Sequence, residues 1–409
     1  MKLYTFLLQT TLIITLSVII RNVDAYYLPV QFYYPKLGYT EPRIQKDWLT
    51  SAQACVSRGA TSHALNCQGQ RVPLFDLYGI QDLSTLTSNV IVNSGEQSCL
   101  ANLPPLPNNV LSISGHFRFR QTLVGITQNI CNGFFVSCYL PIRRLGVSMP
   151  RLTNLTPAHQ EAFIPVLDAT MACFNLNRTN SRPVGLGDVV ACAGKTWCLF
   201  DNPHLDFIDI SLQAGFMAPT SKKRNENQIF SLPFGFDGHA GFLLVGDCSV
   251  GAYDWLTVGA HLDILIFTSV IKTVRIKTDL QQNGIIFLQQ ARAGLVKKPQ
   301  CSVSAYIKAD HFTRGFSIVG SYSFTYQGHT ELTLFNRPLK TEHIANTDNR
   351  FAAWSMHTIH AALEYDFTTR NDIAGPRIGI FYDRPVSGRN IFLTALWTGA
   401  IGIDICLNF

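Results

Sequence analysis

Charge is scarce in this chain of 409 residues: Asp, Glu, Lys and Arg make up 15% of it, although 47% is hydrophobic. A soluble protein ordinarily carries about 25% charged residues. Long apolar runs are missing as well. Past residue 25 no stretch reaches the roughly 18 consecutive apolar residues with which a helix crosses a bilayer. These two shortages argue against both an ordinary soluble composition and a helical membrane protein. Catalytic and metal motifs are also absent: there is no Gly-x-Ser-x-Gly elbow, His-Glu-x-x-His pair, phosphate loop or Cys-x-x-Cys. No metal or cofactor is expected from such a sequence. The formal charge of +6 is mild, and its Lys and Arg are scattered without a reading motif, so nucleic acid is not an expected partner.

What is present begins with an export signal. Lys2, an apolar stretch from Leu3 to Ile20 and the small residues of Val23-Asp24-Ala25 have the three-part pattern of a cleaved signal peptide over residues 1–25. The competing reading is an uncleaved helical anchor.

The mature chain alternates. Odd positions from Ile391 through Leu393, Ala395, Trp397, Gly399, Ile401, Ile403 and Ile405 to Phe409 are apolar or Gly, and the even set includes Asn390, Thr394, Thr398, Asp404 and Asn408. Period two over this length predicts a strand longer than the usual 5–6 residues, close to the roughly 9–11 that cross a bilayer at a tilt. Ile208 to Phe216, Phe316 to Tyr326 and His357 to Phe367 repeat the pattern, as does Ile113 to Phe119 against Ser112, Ser114, His116, Arg118 and Arg120. Lipid-facing residues alternating with lumen-facing ones dilute hydrophobicity along each strand, which accounts for the composition.

A final strand of this kind, with Trp397 in it and the aromatic Phe409 at its end, resembles the assembly signal of Gram-negative outer-membrane β-barrels. The resemblance is architectural and covers residues 72–409. It implies an all-β transmembrane antiparallel barrel in the outer membrane of a Gram-negative-type bacterium, with the lipid bilayer and the barrel-assembly machinery as partners. The competing fold is a secreted β-sandwich, whose strands also alternate. Asn154-Leu155-Thr156 and Asn177-Arg178-Thr179 are formal glycosylation triplets, meaningless in a bacterium.

Parity predicts about twelve strands, at 72–79, 112–120, 132–142, 187–199, 205–218, 239–250, 255–269, 301–311, 315–327, 356–367, 375–383 and 391–409. The connections then alternate between short turns, expected in the periplasm, and longer outside loops. Ile285, Ile286 and Phe287 are placed in an outside loop, because a strand there inverts the side of every earlier loop. Residues 26–71 are expected to be a periplasmic N-terminal segment or a plug. In the loop 143–186, Phe163, Val166, Leu167, Met171 and Phe174 have helical spacing after Thr156-Pro157, a cap pattern. Such a helix either enters the barrel mouth or covers its rim.

Eleven cysteines leave at least one thiol unpaired. Cys55 with Cys67 is the expected disulfide, and Cys138, Cys248 and Cys406 are expected as small apolar fillers within strands. The face opposite the apolar set puts His116, Arg118, Arg120, Asp209, Glu364, Asp366, Arg377 and Asp404 in the lumen. An ionic lumen suits a channel or passive transporter for small hydrophilic solutes. The alternative is a structural or adhesive surface barrel whose interior is filled by salt-bridged side chains. A hydrolase within the barrel has candidate groups in Ser317, Ser321, His261 and Asp263. His360, Glu364 and Asp366 share one strand face, where even neighbours two apart lie about 6.5–7 Å from each other, too far to form a hydrogen-bonded dyad on their own.

Overall fold

The computed structural model describes residues 27–28, 48–106, 108–156, 163–179, 183–199, 205–253, 255–313, 315–335, 339–367 and 375–406. The expected signal peptide, the strand end at Phe409 and the whole segment 29–47 lie outside these residues. Twelve long antiparallel strands close into a barrel. They are β1 (Leu49–Thr61), β2 (Val110–Asn129), β3 (Phe134–Asn154), β4 (Val189–Leu199), β5 (Phe207–Ala218) and β6 (Gly241–Ala252). The second half comprises β7 (Leu256–Phe267), β8 (Gln300–Thr313), β9 (Phe316–Gln327), β10 (Trp354–Asp366), β11 (Pro376–Arg389) and β12 (Leu396–Cys406). Closure is made by β1, which pairs with β12 on one side and β2 on the other. A closed ladder leaves no free strand edge, which is what a bilayer interior demands.

Sequence parity counts the strands correctly and misplaces one. The first barrel strand is Leu49–Thr61, inside the segment expected to be periplasmic or a plug, and 72–79 holds only a short edge pairing at Arg71–Pro73 and a 3-10 turn at Asp76–Tyr78. The outward set of β1 includes Ala52, Ala54 and Val56 and its inward set Ser51, Gln53, Cys55 and Ser57, so small residues on both faces mute the alternation.

Connections at the C-terminal end of the barrel are short. The β2–β3 turn runs through Asn132 and Gly133, whose φ values of 51° and 76° suit a two-residue hairpin turn with a left-handed backbone. At the opposite end the described residues of the long connections 62–109, 155–188, 219–240, 268–299 and 328–353 fold together into a cap. Its core is apolar: Leu74, Phe75, Leu83 and Leu86 from the first loop meet Phe163, Leu167 and Met171 from the second, with Phe230, Ile286 and Phe392 from later ones. Helix α1 (Ser94–Ala101) opens with a capping box between Asn93 and Glu96. Helix α2 (Phe163–Cys173) is the expected loop helix, and its apolar stripe is buried in the cap core. The expected cap at Thr156-Pro157 leads into residues outside those described; the Thr156 hydroxyl accepts from Val110 N at 3.1 Å and ties the loop to β2. Ile285, Ile286 and Phe287 are buried loop residues, as parity required.

The disulfide is Cys99–Cys173, which staples α1 to α2 across two loops with Cα atoms 5.8 Å apart. This corrects the Cys55–Cys67 expectation. Cys55 is buried on the inner face of β1 while Cys67 is exposed in the cap, and no disulfide joins them. Cys138 and Cys248 are exposed on the outside of their strands. Two buried arginines add further ties. Arg275 donates to the carbonyls of Glu226 at 2.6 Å, Leu288 at 2.6 Å and Phe174 at 2.9 Å, drawing three loops together. Arg350 pairs with Asp348 at 2.6 Å and donates to the carbonyl of Arg275 at 2.6 Å.

Candidate functional site

Residues paired across antiparallel strands point to the same face, so the register sorts every barrel side chain into lumen or exterior. Val56, Val124, Ile142, Leu212, Ile318, Ile380 and Ile401 are exposed and form the outer, apolar surface. Inward positions are different in kind. They carry Ser57, Ser137, Thr196, Ser211, Ser249, Thr257, Ser302, Ser304, Ser317, Ser323, Thr325, Thr358 and Thr398, all buried, so the wall is built largely of small hydroxyl residues. Several bridge neighbouring strands, including Ser57 with Thr398 at 2.7 Å and Thr325 with Ser302 at 3.2 Å.

Acidic groups punctuate this wall. Among the described residues, the barrel-strand carboxylates Asp209, Asp247, Asp263, Asp310, Glu364, Asp366, Asp383 and Asp404 stand at inward positions. Asp404 accepts from Ser51 at 2.6 Å and from Arg377 at 3.1 Å. Lys308 lies 3.3 Å from Asp310. His261 stands between Asp247 at 3.5 Å and Asp263 at 3.8 Å. No cluster among the described residues is arranged to hold a metal ion.

Five of the eight residues expected in the lumen therefore occupy inward positions: Asp209, Glu364, Asp366, Arg377 and Asp404. His116, Arg118 and Arg120 do not. They are exposed on the outer face of β2, and Phe117 and Phe119 point inward and are buried. The expectation took the aromatic face for the lipid face. This part of β2 lies on the cap side of the apolar band, and Phe117 packs edge-on against Phe392 of the cap at a centroid distance of 5.4 Å.

A relay that sequence spacing missed crosses three strands. His360 on β10 meets Asp383 on β11 through Nδ1 at 2.7 Å and Ser323 on β9 through Nε2 at 2.7 Å. The partners of His360 are thus its cross-strand neighbours, whereas Glu364 and Asp366 lie farther along its own strand. Of the hydrolase candidates, Ser317 instead donates to Asp310 at 2.5 Å. Only pairing register, which sequence does not supply, could have identified the relay.

Above the hydroxyl wall the inward set turns apolar. Tyr139, Val190, Met217, Leu243, Leu265 and Phe267 form one buried cluster, and Phe117, Phe119, Leu145, Trp354 and Met356 join the cap core. Arg143 marks the passage from wall to cap: fully buried, it donates to Gln121 at 2.7 Å and to the backbone carbonyl of Phe234. The lumen wall is thus mixed: hydroxyl and acidic positions share it with the buried Cys55, Leu123, Phe381 and Ala400, and apolar residues predominate among those beneath the loops. A recess lined by Ile126, Val136, Ala193, Ala214 and Phe216 belongs to the outer face and not to the lumen.

No known family model matches the sequence, and no curated protein is similar to it at a significant level. Similarity exists in three dimensions. An outer-membrane channel from Pseudomonas putida is 8% identical, with a TM-score of 0.53 over 91% of this chain and 100% of that one. The toluene transporter TodX of the same species is 8% identical over 89% of this chain and 91% of that one, but its TM-score of 0.39 is too low to carry an argument. The same holds for the translocator domain of the autotransporter NalP from Neisseria meningitidis, at 10% identity, 89% and 90% coverage and a TM-score of 0.37. At such identity the likeness shows the fold alone: a closed antiparallel barrel of the Gram-negative outer-membrane type.

Proposed function

We propose that the chain is a passive outer-membrane channel for small hydrophilic solutes, with a preference for cations, closed at its long-loop end by the cap. The observation that carries this reading is the segregation of charge: the barrel-strand carboxylates named above stand inward on a wall of small hydroxyl residues. Rings of acidic side chains favour cations in pores by lowering the electrostatic barrier to their passage. The similar Pseudomonas putida barrel is described as a channel, which is consistent with passage. The cap's apolar core must move or open locally for solute to pass, because it lies across the mouth.

Single-channel recording in planar bilayers tests this. The wild type is expected to conduct with a reversal potential displaced toward the cation in a salt gradient, and Asp209→Asn with Glu364→Gln is expected to move that potential toward zero. Absence of conductance both before and after reduction of Cys99–Cys173 overturns the reading and leaves an anchoring or adhesive barrel.

A second reading rests on the Ser323, His360 and Asp383 relay, whose connectivity matches an acyl-transfer triad with the carboxylate on Nδ1 and the hydroxyl on Nε2. Thr358, paired directly with Ser323, is buried and its hydroxyl has no hydrogen-bond partner, leaving it open to an oxyanion. In this reading Ser323 Oγ attacks an ester carbonyl within the lumen, His360 Nε2 takes the hydroxyl proton, and the alcohol leaves with that proton. A fluorophosphonate probe that labels the wild type and not Ser323→Ala supports it; equal labelling or none makes the relay a structural part of the wall.

A further inference from the structure

The exterior of β1, β2 and β3 ends in arginine. Following each strand away from the short-turn end, the outward residues are Ala52, Ala54 and Val56 and then Arg58; Ile126, Val124 and Thr122 and then Arg120; Leu140 and Ile142 and then Arg144. The register sets Arg58 directly opposite Arg120, and Arg120 directly opposite Arg144. Arg118 follows one outward position beyond Arg120 on β2. On the other side of Arg58 the row continues into Trp397, whose ring stacks on Tyr382 at 4.4 Å.

Four exposed guanidinium groups are thus gathered on three adjacent strands where the apolar surface stops. Like charges facing each other across strands destabilise a sheet. No carboxylate stands on the outward face of the described barrel strands to offset them. None of the guanidinium groups of Arg58, Arg118, Arg120 and Arg144 makes a hydrogen bond or ion pair with a described residue. Arginine there is also not a generic solubilising choice: its planar fork matches phosphate oxygens in pairs, which lysine cannot do. Directly below the row lie Val56, Thr122 and Ile142, and below Thr122 come Val124 and Ile126, a mostly apolar surface that acyl chains would cover. A ligand that satisfies both halves carries phosphate at one end and hydrocarbon at the other.

We propose that this row binds the phosphate groups of a phosphorylated glycolipid of the outer leaflet, with the acyl chains lying on the apolar strands beneath. The proposal rests on the reading of the barrel as membrane-spanning. Aromatic residues at a barrel's interface mark the headgroup level, and Trp397 and Tyr382 continue the arginine row there. The site is a fixed ligand position on β1 to β3, and bulk attraction to any anionic surface does not require it.

The test uses the whole folded protein, purified in detergent and examined by native mass spectrometry with diphosphoryl lipid A, dephosphorylated lipid A or inorganic phosphate added. Wild type is expected to retain diphosphoryl lipid A and to lose it roughly a hundredfold more readily in Arg58→Gln/Arg120→Gln/Arg144→Gln, since each arginine near a headgroup surface contributes about a fivefold factor. Should the triple variant fail to assemble, Arg120→Gln alone is expected to show that roughly fivefold factor. Equal retention by variant and wild type overturns the proposal, as does equal retention of the dephosphorylated lipid. Displacement by millimolar inorganic phosphate also overturns it, because the site then recognises the free anion. Insertion into liposomes is measured on the same preparations. Failure to insert overturns the membrane-spanning reading and the proposal together, whereas insertion with unchanged lipid retention overturns the lipid site alone.

Discussion

Strand β2 holds two proteins' worth of logic in one ladder. From Val110 to Arg120 its inward residues are Leu111, Ile113, Phe117 and Phe119 and its outward ones Ser112, Ser114, His116, Arg118 and Arg120, the pattern of a soluble domain. From Gln121 onward the inward set begins with Gln121, and the outward set includes Val124 and Ile126. Strand β3 makes the same change, with Leu145 and Val147 inward beyond Arg143 and with Leu140 and Ile142 outward before it. One backbone passes from a zone where water is outside to a zone where lipid is outside. In a capped barrel polarity alone does not identify a face; depth along the strand decides which polarity points outward.

The largest effect expected from this comparison is in the cap. Phe117 is fully buried between strand and loops, so Phe117→Ala is expected to cost the cap about 3–5 kcal/mol. Because Phe117 lies beyond the apolar band, heat-modifiable barrel should persist while the loops become sensitive to protease. Simultaneous loss of the assembled barrel would show that the two zones fold as one unit. Next in size is a charge placed in the lower zone. Ile126→Arg is expected to reduce assembly by about 2–4 kcal/mol, and Thr122→Arg, next to the arginine row, by only about 0–1 kcal/mol. Equal penalties would move the polarity change away from Arg120.

That same change explains what the sequence made legible and what it hid. Strands with one polarity throughout, such as β9 with Ile318, Tyr322 and Phe324 outward, stand out by alternation alone, and the strand count and the sides of the loops follow from them. Where polarity inverts, alternation breaks: β2 reads as ending at Arg120 although it runs to Asn129, and its charged residues are assigned to the wrong face. β1 escapes notice because both of its faces are small. The lumen residues Asp209, Glu364, Asp366, Arg377 and Asp404 were legible because their strands keep one polarity, whereas the Ser323 relay and the Cys99–Cys173 staple depend on register and loop packing that no local pattern encodes.

The smallest predicted effect separates the zones by pH. In the cap, the Lys297 ammonium sits 5.5 Å from the ring centre of Phe236 and 5.6 Å from that of Phe267, and donates to the Phe236 carbonyl at 3.0 Å. Burial pushes its pKa down to about 8, against the upward pull of Asp237 and with a further downward push from Lys272. An unfolded lysine keeps its proton to about pH 10.4. Between about pH 8 and 10.4 the unfolded cap therefore binds more protons than the folded one, and cap stability rises with pH across that window. Below pH 8 the cost of holding the charge in place is fully present. Hydrogen exchange of the cap amides from pH 7 to 10, corrected for intrinsic rates, is expected to show protection increasing in the wild type and staying level in Lys297→Met. The barrel strands below the collar should not follow this trend in either protein, since Lys297 belongs to the loop segment Gln290–Lys297 outside the ladder of twelve. A parallel rise in the barrel strands would show that cap and barrel open together, and the boundary at Arg120 and Arg143 would then mark a change of solvent without a change of cooperative unit.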